Sequence, residues 1–230
     1  MSQPVLSQIN VFPVKSVGGL SLSSVWVEKQ GLSFDRRFMI AKADGAMITA
    51  RKYPQMVTIK SALLSDGVVF SSLGMEPLKI RYQDFKMQET PATVWKDTFT
   101  AYTTTDDADD WFSRVLGQRV ELLFSGEQSN RVREKLGQNV SFADGYPILL
   151  TNTASLEDLN QRLLEPVPMN RFRPNIVISS DRAFSESSWQ KIVIGEITYS
   201  LVKPCSRCII TTTDQETGMR NSQMEPLKTL

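Results

Sequence analysis

Short β-forming segments separated by turn residues fill the first hundred positions of the chain, and this pattern restricts the fold more than any other feature. The Asp44-Gly45 and Asp66-Gly67 pairs each lie between two such segments, which is the strongest local signal for a β-hairpin. Regularly spaced short strands with tight turns are typical of a small barrel or sandwich. The strands predicted in this half are residues 9–12, 24–27, 37–41, 47–50, 59–64 and 68–70.

A helix is predicted after these strands. Thr105 or Asp106 can cap residues 107–116, acidic side chains occupy the first turn, and Gly117 can end the helix. The next segment, at 125–139, is polar with periodically placed charges. It is therefore predicted to be a linker or an exposed loop.

The second half of the chain also combines strands with one helix. Ser155 with Asp158 fits a capping pattern, and Leu156, Leu159 and Leu163 form an apolar stripe along the helix. The fold class is therefore expected to be mainly β (α+β), with two packed β-barrel-like domains and a few helices. The strands predicted in this half are residues 175–178, 191–194 and 198–202.

Composition excludes several functional classes. Histidine is absent from the 230 residues, which removes the commonest general acid–base, the commonest metal ligand and every Ser-His or Cys-His nucleophile. The net charge of +1 provides no overall field for nucleic acid or a membrane surface, so neither is expected as a partner. No apolar run reaches the ~20 residues of a membrane-spanning helix, and the N-terminus lacks a signal-peptide pattern. With only two cysteines, a cytoplasmic location is expected.

The two cysteines, Cys205 and Cys208, flank Ser206 and Arg207 and leave four interpretations open. A structural zinc site needs two further Cys or His ligands, which the chain lacks. A redox dithiol is expected at a helix N-terminus, whereas the β-branched residues at 209–213 favour a strand. The pair can also be two buried small hydrophobes, or one thiolate that neighbouring positive charge favours and that binds a soft metal.

Several longer stretches together carry a resemblance to a known family. Seven stretches, taken in their order along the chain, resemble the MOSC-domain family, whose members include YcbX-type proteins and mitochondrial amidoxime-reducing components. The resemblance covers nearly the whole chain and implies a MOSC N-terminal β-barrel-like domain at 1–120 and a MOSC domain at 121–230. The stretches are FPVKSVGG (12–19), DRRFMI (35–40), GAMITARKYPQM (45–56), FADGYPILLTNTASLEDLN (142–160), NRFRPNIVIS (170–179), PCSRCIITTTDQETG (204–218) and EPLKTL (225–230).

The resemblance implies a pterin-based molybdenum cofactor that the protein holds through one cysteine. Cys208 matches the molybdenum ligand, so it is the expected catalytic and metal-binding residue, with Cys205 as a neighbour. Lys15 and Ser16 match the pair that contacts the phosphate end of the cofactor, and lysine with forked arginines suits phosphate. The positions expected to bind the cofactor are Lys15, Ser16, Arg37, Asp144, Arg173, Ser206 and Arg207.

The resemblance also implies an oxidoreductase that reduces N-hydroxylated compounds, such as hydroxylamines and amidoximes, to amines or amidines. Electrons would come from a ferredoxin-type domain or a reductase. An iron–sulfur cluster would lie only in a missing domain or a separate partner, because a cluster usually takes four thiolates. Family members continue past EPLKTL with further strands, so the resemblance implies a truncated chain. Two alternatives stay open: a non-catalytic carrier of sulfur or molybdenum cofactor on Cys208, and a plain thiol redox protein that uses both cysteines.

Overall fold

The computed structural model describes residues 3–134 and 137–230 and confirms a mainly β fold, in which two α-helices accompany short strands. The strands are β1 Val5–Val11, β2 Leu20–Leu22, β3 Val27–Glu28, β4 Gly31–Leu32, β5 Phe38–Ala41, β6 Lys60–Leu63, β7 Gly67–Ser71, β8 Leu78–Arg81, β9 Glu89–Val94, β10 Asp97–Thr103, β11 Glu121–Phe124, β12 Val132–Arg133, β13 Gln138–Asn139, β14 Leu150–Asn152, β15 Ile176–Ser179, β16 Lys191–Ile194 and β17 Ile197–Ser200. The α-helices are α1 Asp106–Leu116 and α2 Thr153–Gln161, and short 3₁₀ helices cover Pro54–Thr58, Tyr82–Asp84, Met169–Phe172, Ser185–Ser188 and Ile209–Thr212. None of the helices in the two described ranges is long and apolar enough to cross a bilayer.

A four-stranded sheet with the order β5-β11-β10-β9 is covered by apolar side chains on both faces. Successive side chains of a strand point to opposite faces. Phe38 and Ile40 of β5 therefore join a large apolar cluster with the β6-β7-β8 sheet and α1. Met39 and Ala41 join a second cluster, which includes Phe142. Because both faces are buried, β5 is a continuous apolar run in the sequence.

The first strand links the two halves of the chain. In a sheet with the order β14-β15-β1-β2, β1 pairs antiparallel with both β15 and β2. The chain then crosses to the other four-stranded sheet, where Val14 bridges Phe38 and the Lys15 N–H donates to the Phe38 carbonyl at 2.8 Å. Segments from both halves thus meet around residues 14–17. The domain division at 120/121 stays a prediction.

The sequence signals for α1 are confirmed. The Thr105 side chain accepts a hydrogen bond from the Ala108 N–H at 3.2 Å, which satisfies one of the free donors of the first turn. Gly117 ends the helix with a φ of 65°, a conformation that favours glycine. The buried face packs the Phe112 ring edge-on against Phe70 at 5.0 Å between centroids. Local residues therefore fix both ends of this helix.

The predicted cap of the second helix is wrong. The residue that caps α2 is Asn152, whose side chain accepts from the Ala154 N–H at 3.2 Å. The Ser155 hydroxyl instead donates to Glu186 at 2.6 Å. A distant carboxylate thus engages the hydroxyl that the local pattern assigns to the cap.

Two predicted strands are shorter than expected. Residues 24–27 contribute only Val27 to a described strand. Residues 47–50 contribute a single bridge at Met47, because the chain turns at Thr49, whose carbonyl accepts two N–H groups from the following turn.

The segment at 125–139, for which the sequence predicts a linker or an exposed loop, is only partly exposed, and its residues 135–136 lie outside the described ranges. Arg131, Ser125 and Ser129 in this segment are buried, and β12 pairs with β13 within it. The polar groups are inside because they have protein partners, as buried polar groups require. The Ser129 N–H, for example, donates to the Gln30 side-chain oxygen at 3.0 Å.

Arg131 ties this segment to two other parts of the chain. Its Nε donates to Asp97, at the start of β10, at 2.9 Å. Its terminal nitrogens donate to the backbone carbonyls of Ser141, Ala143 and Asp144. A buried charge is tolerated only when it is paired and hydrogen-bonded, and a carboxylate with three carbonyls meets that requirement. The loop that carries these carbonyls is thereby held against the β9–β10 hairpin.

Replacing Arg131 with alanine is expected to lower the free energy of unfolding by about 3 kcal/mol or more, because three carbonyls lose their donor and a cavity forms. The matched control is Arg133→Ala. Arg133 contacts the same Asp97 oxygen at 2.9 Å but is one-third exposed, so its loss is expected to cost about 1 kcal/mol or less. Urea unfolding followed by circular dichroism measures both changes. Equal losses would contradict the role assigned to Arg131.

Candidate functional site

Three side chains from distant parts of the chain meet at Asp144. Buried Lys15 donates from Nζ to the Asp144 carboxylate and, at 2.8 Å, to the Phe142 carbonyl. Arg51 Nη2 lies 3.0 Å from Asp144 Oδ2. The Trp95 indole N–H donates to Asp144 Oδ1 at 3.1 Å. An ammonium, a guanidinium and an indole thus converge on one carboxylate, and we call this group the Asp144 cluster.

The protein environment shifts the pKa values of this cluster. Burial lowers the pKa of Lys15 from its ordinary 10.5 to about 8, although the Asp144 charge acts in the opposite direction. Burial alone would raise the pKa of Asp144, but the charges of Lys15 and Arg51 hold that pKa well below its usual range. Lys15 therefore titrates slightly above neutral pH, whereas Asp144 stays ionised.

Strained backbone is concentrated near this cluster. Of the eight non-glycine residues with positive φ in the described ranges, four lie in or beside the site: Ser16, Arg36, Trp95 and Arg173. Trp95 has a φ of 58° at the first of the two turn residues between β9 and β10, a position that normally takes glycine or asparagine. Arg51 stacks over its ring at 4.6 Å. Strain of this kind is typical of functional sites.

Arg173 lies at the C-terminal end of the 3₁₀ helix Met169–Phe172 with a φ of 54°. Its side chain is buried, and Nη2 donates to the Val17 carbonyl at 2.6 Å. Nη1 lies 3.3 Å from the Gln215 side-chain oxygen, and the guanidinium lies 4.2 Å from the centre of the Phe12 ring. Neutral groups alone therefore hold this cation in place.

Among the residues that the structure describes, no carboxylate oxygen lies within 4.0 Å of a guanidinium nitrogen of Arg173. Burial lowers the pKa of Arg173 to about 9, and the charge of Arg36 acts in the same direction. Asp35 is the largest influence in the opposite direction, followed by Asp144 and Cys208. A buried cation without a carboxylate partner is costly, and an anionic ligand would supply the partner.

Cys208 caps the 3₁₀ helix Ile209–Thr212, which forms in place of the strand that the sequence predicts at residues 209–213. The strand prediction is wrong because the threonine hydroxyls bond back along the chain, as when Thr211 Oγ1 donates to the Cys208 carbonyl at 2.9 Å. Such local bonds compete with strand pairing. Cys208 is half-buried against the large apolar cluster, Cys205 is exposed, and both thiols are free. The two cysteines thus have different environments.

Three further residues are predicted to bind the cofactor beside Lys15 or Cys208: Ser16, Ser206 and Arg207. Ser16 is buried beside Lys15. Ser206 is exposed. Arg207 is half-buried, with its guanidinium 5.3 Å from the centre of the Phe172 ring. Ser206 and Arg207 therefore border Cys208 on a loop open to a ligand.

Arg37 has a different environment. Its Nη1 pairs with Glu28 at 2.9 Å, and its Nη2 donates to the carbonyls of Gly126 and Glu127 at 2.8 and 2.6 Å. Both terminal nitrogens are thus bonded to protein acceptors, which brace the chain after β11. The predicted contact of Arg37 with a cofactor stays a prediction.

Sequence reasoning missed Arg51, Trp95 and Arg131. Arg51 precedes Lys52 in a short basic stretch that suggests a solvated surface. Trp95 did offer a signal, since a bulky aromatic between two strands occupies a turn position where glycine is usual. Arg131 had no local signal, because the polar segment around it is typical of a surface loop.

A cavity of about 360 Å³ adjoins the surroundings of Arg173, since Phe12 and Gln215, which contact Arg173, line it. Lys60 and Glu216 also line it, and their charged atoms are 3.7 Å apart. None of the predicted cofactor-binding residues lines it. The predicted cofactor-binding side chains therefore lie outside this cavity, although two residues that contact Arg173 form part of its wall.

The donor set fits the cofactor that the resemblance implies. Among the described residues, no group of three or more Cys, Asp or Glu side chains is placed to hold a metal ion. Cys208 instead offers one soft donor, which suits a metal whose other ligands come from its own cofactor. Lys15, Arg51 and Arg173 offer cationic donors of the kind that bind phosphate. Both ends of such a cofactor would therefore find matching groups.

Affinity of the cofactor-free protein for inorganic phosphate is expected to fall as pH rises through about 8, because Lys15 loses its charge there. The ligand does not cause this fall, since phosphate can only gain negative charge as the pH rises. Lys15→Met is expected to bind more weakly at pH 7 and to show no such fall. Isothermal titration calorimetry between pH 7 and 9.5 measures both proteins, with Cys208→Ser as the control for thiol ionisation. A wild-type affinity that stays constant over this range would contradict the assignment.

The sequence matches two families of protein domains: residues 3–119 match the MOSC N-terminal beta barrel domain, and residues 137–230 match the MOSC domain. Mitochondrial amidoxime reducing component 2 of Rattus norvegicus is 32% identical over 242 residues, which cover 98% of this chain and 71% of that protein. Mitochondrial amidoxime-reducing component 1 of Homo sapiens is 30% identical over 244 residues, which cover 98% and 70%. Molybdenum cofactor sulfurase 2 of Culex quinquefasciatus is 30% identical over 249 residues, which cover 99% of this chain and 32% of that protein.

Proposed function

Because the chain belongs to the MOSC-domain family, we propose that it is a molybdenum-cofactor-dependent oxidoreductase that reduces N-hydroxylated compounds to amines or amidines. The names of two relatives, both amidoxime-reducing components, support the reaction class. The name of a third, a molybdenum cofactor sulfurase, supports the cofactor. The observation that carries the proposal is the position of Cys208 near Arg173, a buried cation with no carboxylate within 4.0 Å among the described residues: Arg207, next to Cys208, lies 5.3 Å from the ring of Phe172, which precedes Arg173. A soft donor beside such a cation suits an anionic cofactor that carries a sulfur-binding metal.

Different residues would hold different parts of the cofactor. Cys208 would hold the metal, Lys15 and Ser16 would hold the phosphate, and Arg173 would orient the polar ring system between them. Arg207 would close the exposed side beside Cys208. When bound, the cofactor supplies oxygen-atom transfer at the N–O bond. The overall reaction takes up two electrons and two protons for each N–O bond broken and releases one water.

The electrons would come from a ferredoxin-type domain or a reductase. An iron–sulfur cluster usually takes four thiolates, and these 230 residues contain two cysteines. The cytoplasmic location that the sequence predicts stays a prediction, and two of the relatives are mitochondrial by name.

Cys208→Ser is expected to abolish reduction of an amidoxime and to remove bound molybdenum, because a hydroxyl is a poor ligand for a soft metal. Cys205→Ser is the matched control. It is expected to keep most of the amidoxime reduction and most of the bound molybdenum, since Cys205 is exposed. The assay uses a reduced viologen as donor, which bypasses the natural electron partner. Elemental analysis for molybdenum and chromatography of the amidine product are the two measurements.

The alternatives give different results in the same experiment. Equal loss from both substitutions, without molybdenum in the wild type, would favour a thiol redox protein. Bound molybdenum and pterin with no turnover of amidoximes or hydroxylamines would favour a carrier of the cofactor. Either result would contradict the proposed reductase.

Arg173→Gln is expected to lower cofactor retention by about tenfold or more, because a charge-assisted contact contributes ~1.5–3 kcal/mol. The melting temperature of the cofactor-free protein should not fall, since the substitution removes a buried charge that lacks a carboxylate partner. Arg162→Gln is the control, because Arg162 is half exposed and pairs with Asp158 along α2. Pterin fluorescence after oxidation measures retention. A large drop in melting temperature would show that Arg173 serves the fold instead.

A further inference from the structure

The Asp144 cluster has the arrangement of an oxyanion-binding site. Lys15 and Trp95 donate to one carboxylate oxygen and Arg51 donates to the other. The three donors come from the segment after β1, the loop after β5 and the tip of the β9–β10 hairpin. Donors that converge from separate directions suit the several oxygens of a phosphate monoester better than the two of a carboxylate.

The charges around Asp144 do not balance. Four cations and two carboxylates form two adjacent ion-pair groups there, joined by the hydrogen bond from Arg131 to the Asp144 carbonyl, and these residues together carry an excess of two positive charges. The excess equals the charge of a phosphate dianion. The cations are Lys15, Arg51, Arg131 and Arg133, and the carboxylates are Asp97 and Asp144.

The Asp144 side chain is half exposed, whereas the backbone around it is held by hydrogen bonds. The carbonyl of Asp144 accepts from Arg131 at 3.2 Å, and that of Phe142 accepts from Lys15 at 2.8 Å. The side chain itself is 49% exposed. Rotation about its Cα–Cβ bond would place the carboxylate in solvent and free three donors.

We propose that Lys15, Arg51 and Trp95 form a phosphate-binding nest in which Asp144 is a displaceable internal counter-ion. The inference rests on the proposed function, because the phosphate monoester that enters the nest is the phosphate end of the cofactor. Arg51 and Trp95 then bind the cofactor, and Asp144 competes with it instead of holding it. The carboxylate keeps the two cations paired until the phosphate arrives.

The test uses the full chain, produced in a host that makes no molybdenum cofactor, and titrates it with inorganic phosphate at pH 7. Asp144→Asn is expected to bind phosphate at least about tenfold more tightly than the wild type, because the competing negative charge is gone. Asp66→Asn is the matched control, since Asp66 also pairs with two cations, Lys79 and Arg81, at the surface. Its affinity for phosphate is expected to equal that of the wild type.

A second variant locates the bound phosphate. Adding Arg51→Ala to Asp144→Asn is expected to remove most of the gain. Phosphate should also change the Trp95 fluorescence of the wild type as the indole exchanges its acceptor, and Trp95→Phe should lose that change. This fluorescence measurement tests the displacement even if Asp144→Asn does not fold.

Unchanged or weaker phosphate binding by Asp144→Asn would overturn the proposal, as would tight binding that survives the loss of Arg51. These outcomes do not depend on the reductase assay. If the nest behaves as expected but no amidoxime is reduced, the proposed function fails and the nest remains. If the wild type is an active reductase but Asp144→Asn gains no affinity, only the nest fails.

Discussion

The buried guanidinium of Arg131 fixes the parts of the chain from which the candidate site is made. On one side it bonds to Asp97, two residues after Trp95. On the other side it bonds to the carbonyls of the loop that ends at Asp144. Because one rigid, planar group makes both sets of bonds, the hairpin tip and the loop hold a fixed spacing. The hydrogen bond from Trp95 to Asp144 depends on that spacing.

The pairing of β1 with β15 brings the other basic residues to the same place. Lys15 follows the end of β1, and Arg173 precedes the start of β15. In an antiparallel pair these two ends are adjacent, and the Asn10 N–H donates to the Asn175 carbonyl at 2.8 Å there. The buried cations Lys15 and Arg173 therefore lie in the same region although they are far apart in the sequence, and Arg173 donates to the carbonyl of Val17, two residues after Lys15.

Local features could be predicted from the sequence, and features that depend on distant partners could not. The cap and the end of α1 are set by Thr105 and Gly117, which act on their own neighbours. The buried position of Arg131 depends on Asp97, and the Ser155 hydroxyl, which the local pattern assigns to the cap of α2, bonds instead to the distant Glu186. Cys208 could be singled out by resemblance, but its 3₁₀ turn follows from back-bonding hydroxyls that a preference for strands does not include.

The buried cations of the site lower the stability of the cofactor-free protein. The pKa of Lys15 is about 8 in the fold and 10.5 ordinarily, so between these values the unfolded chain binds more protons than the folded one. Stability then rises with pH over this interval, and below it the charged lysine opposes folding. An anion beside Lys15 would raise this pKa again, so its binding near pH 8 would take up a proton. The same buried charge that weakens the free protein therefore favours the anionic ligand.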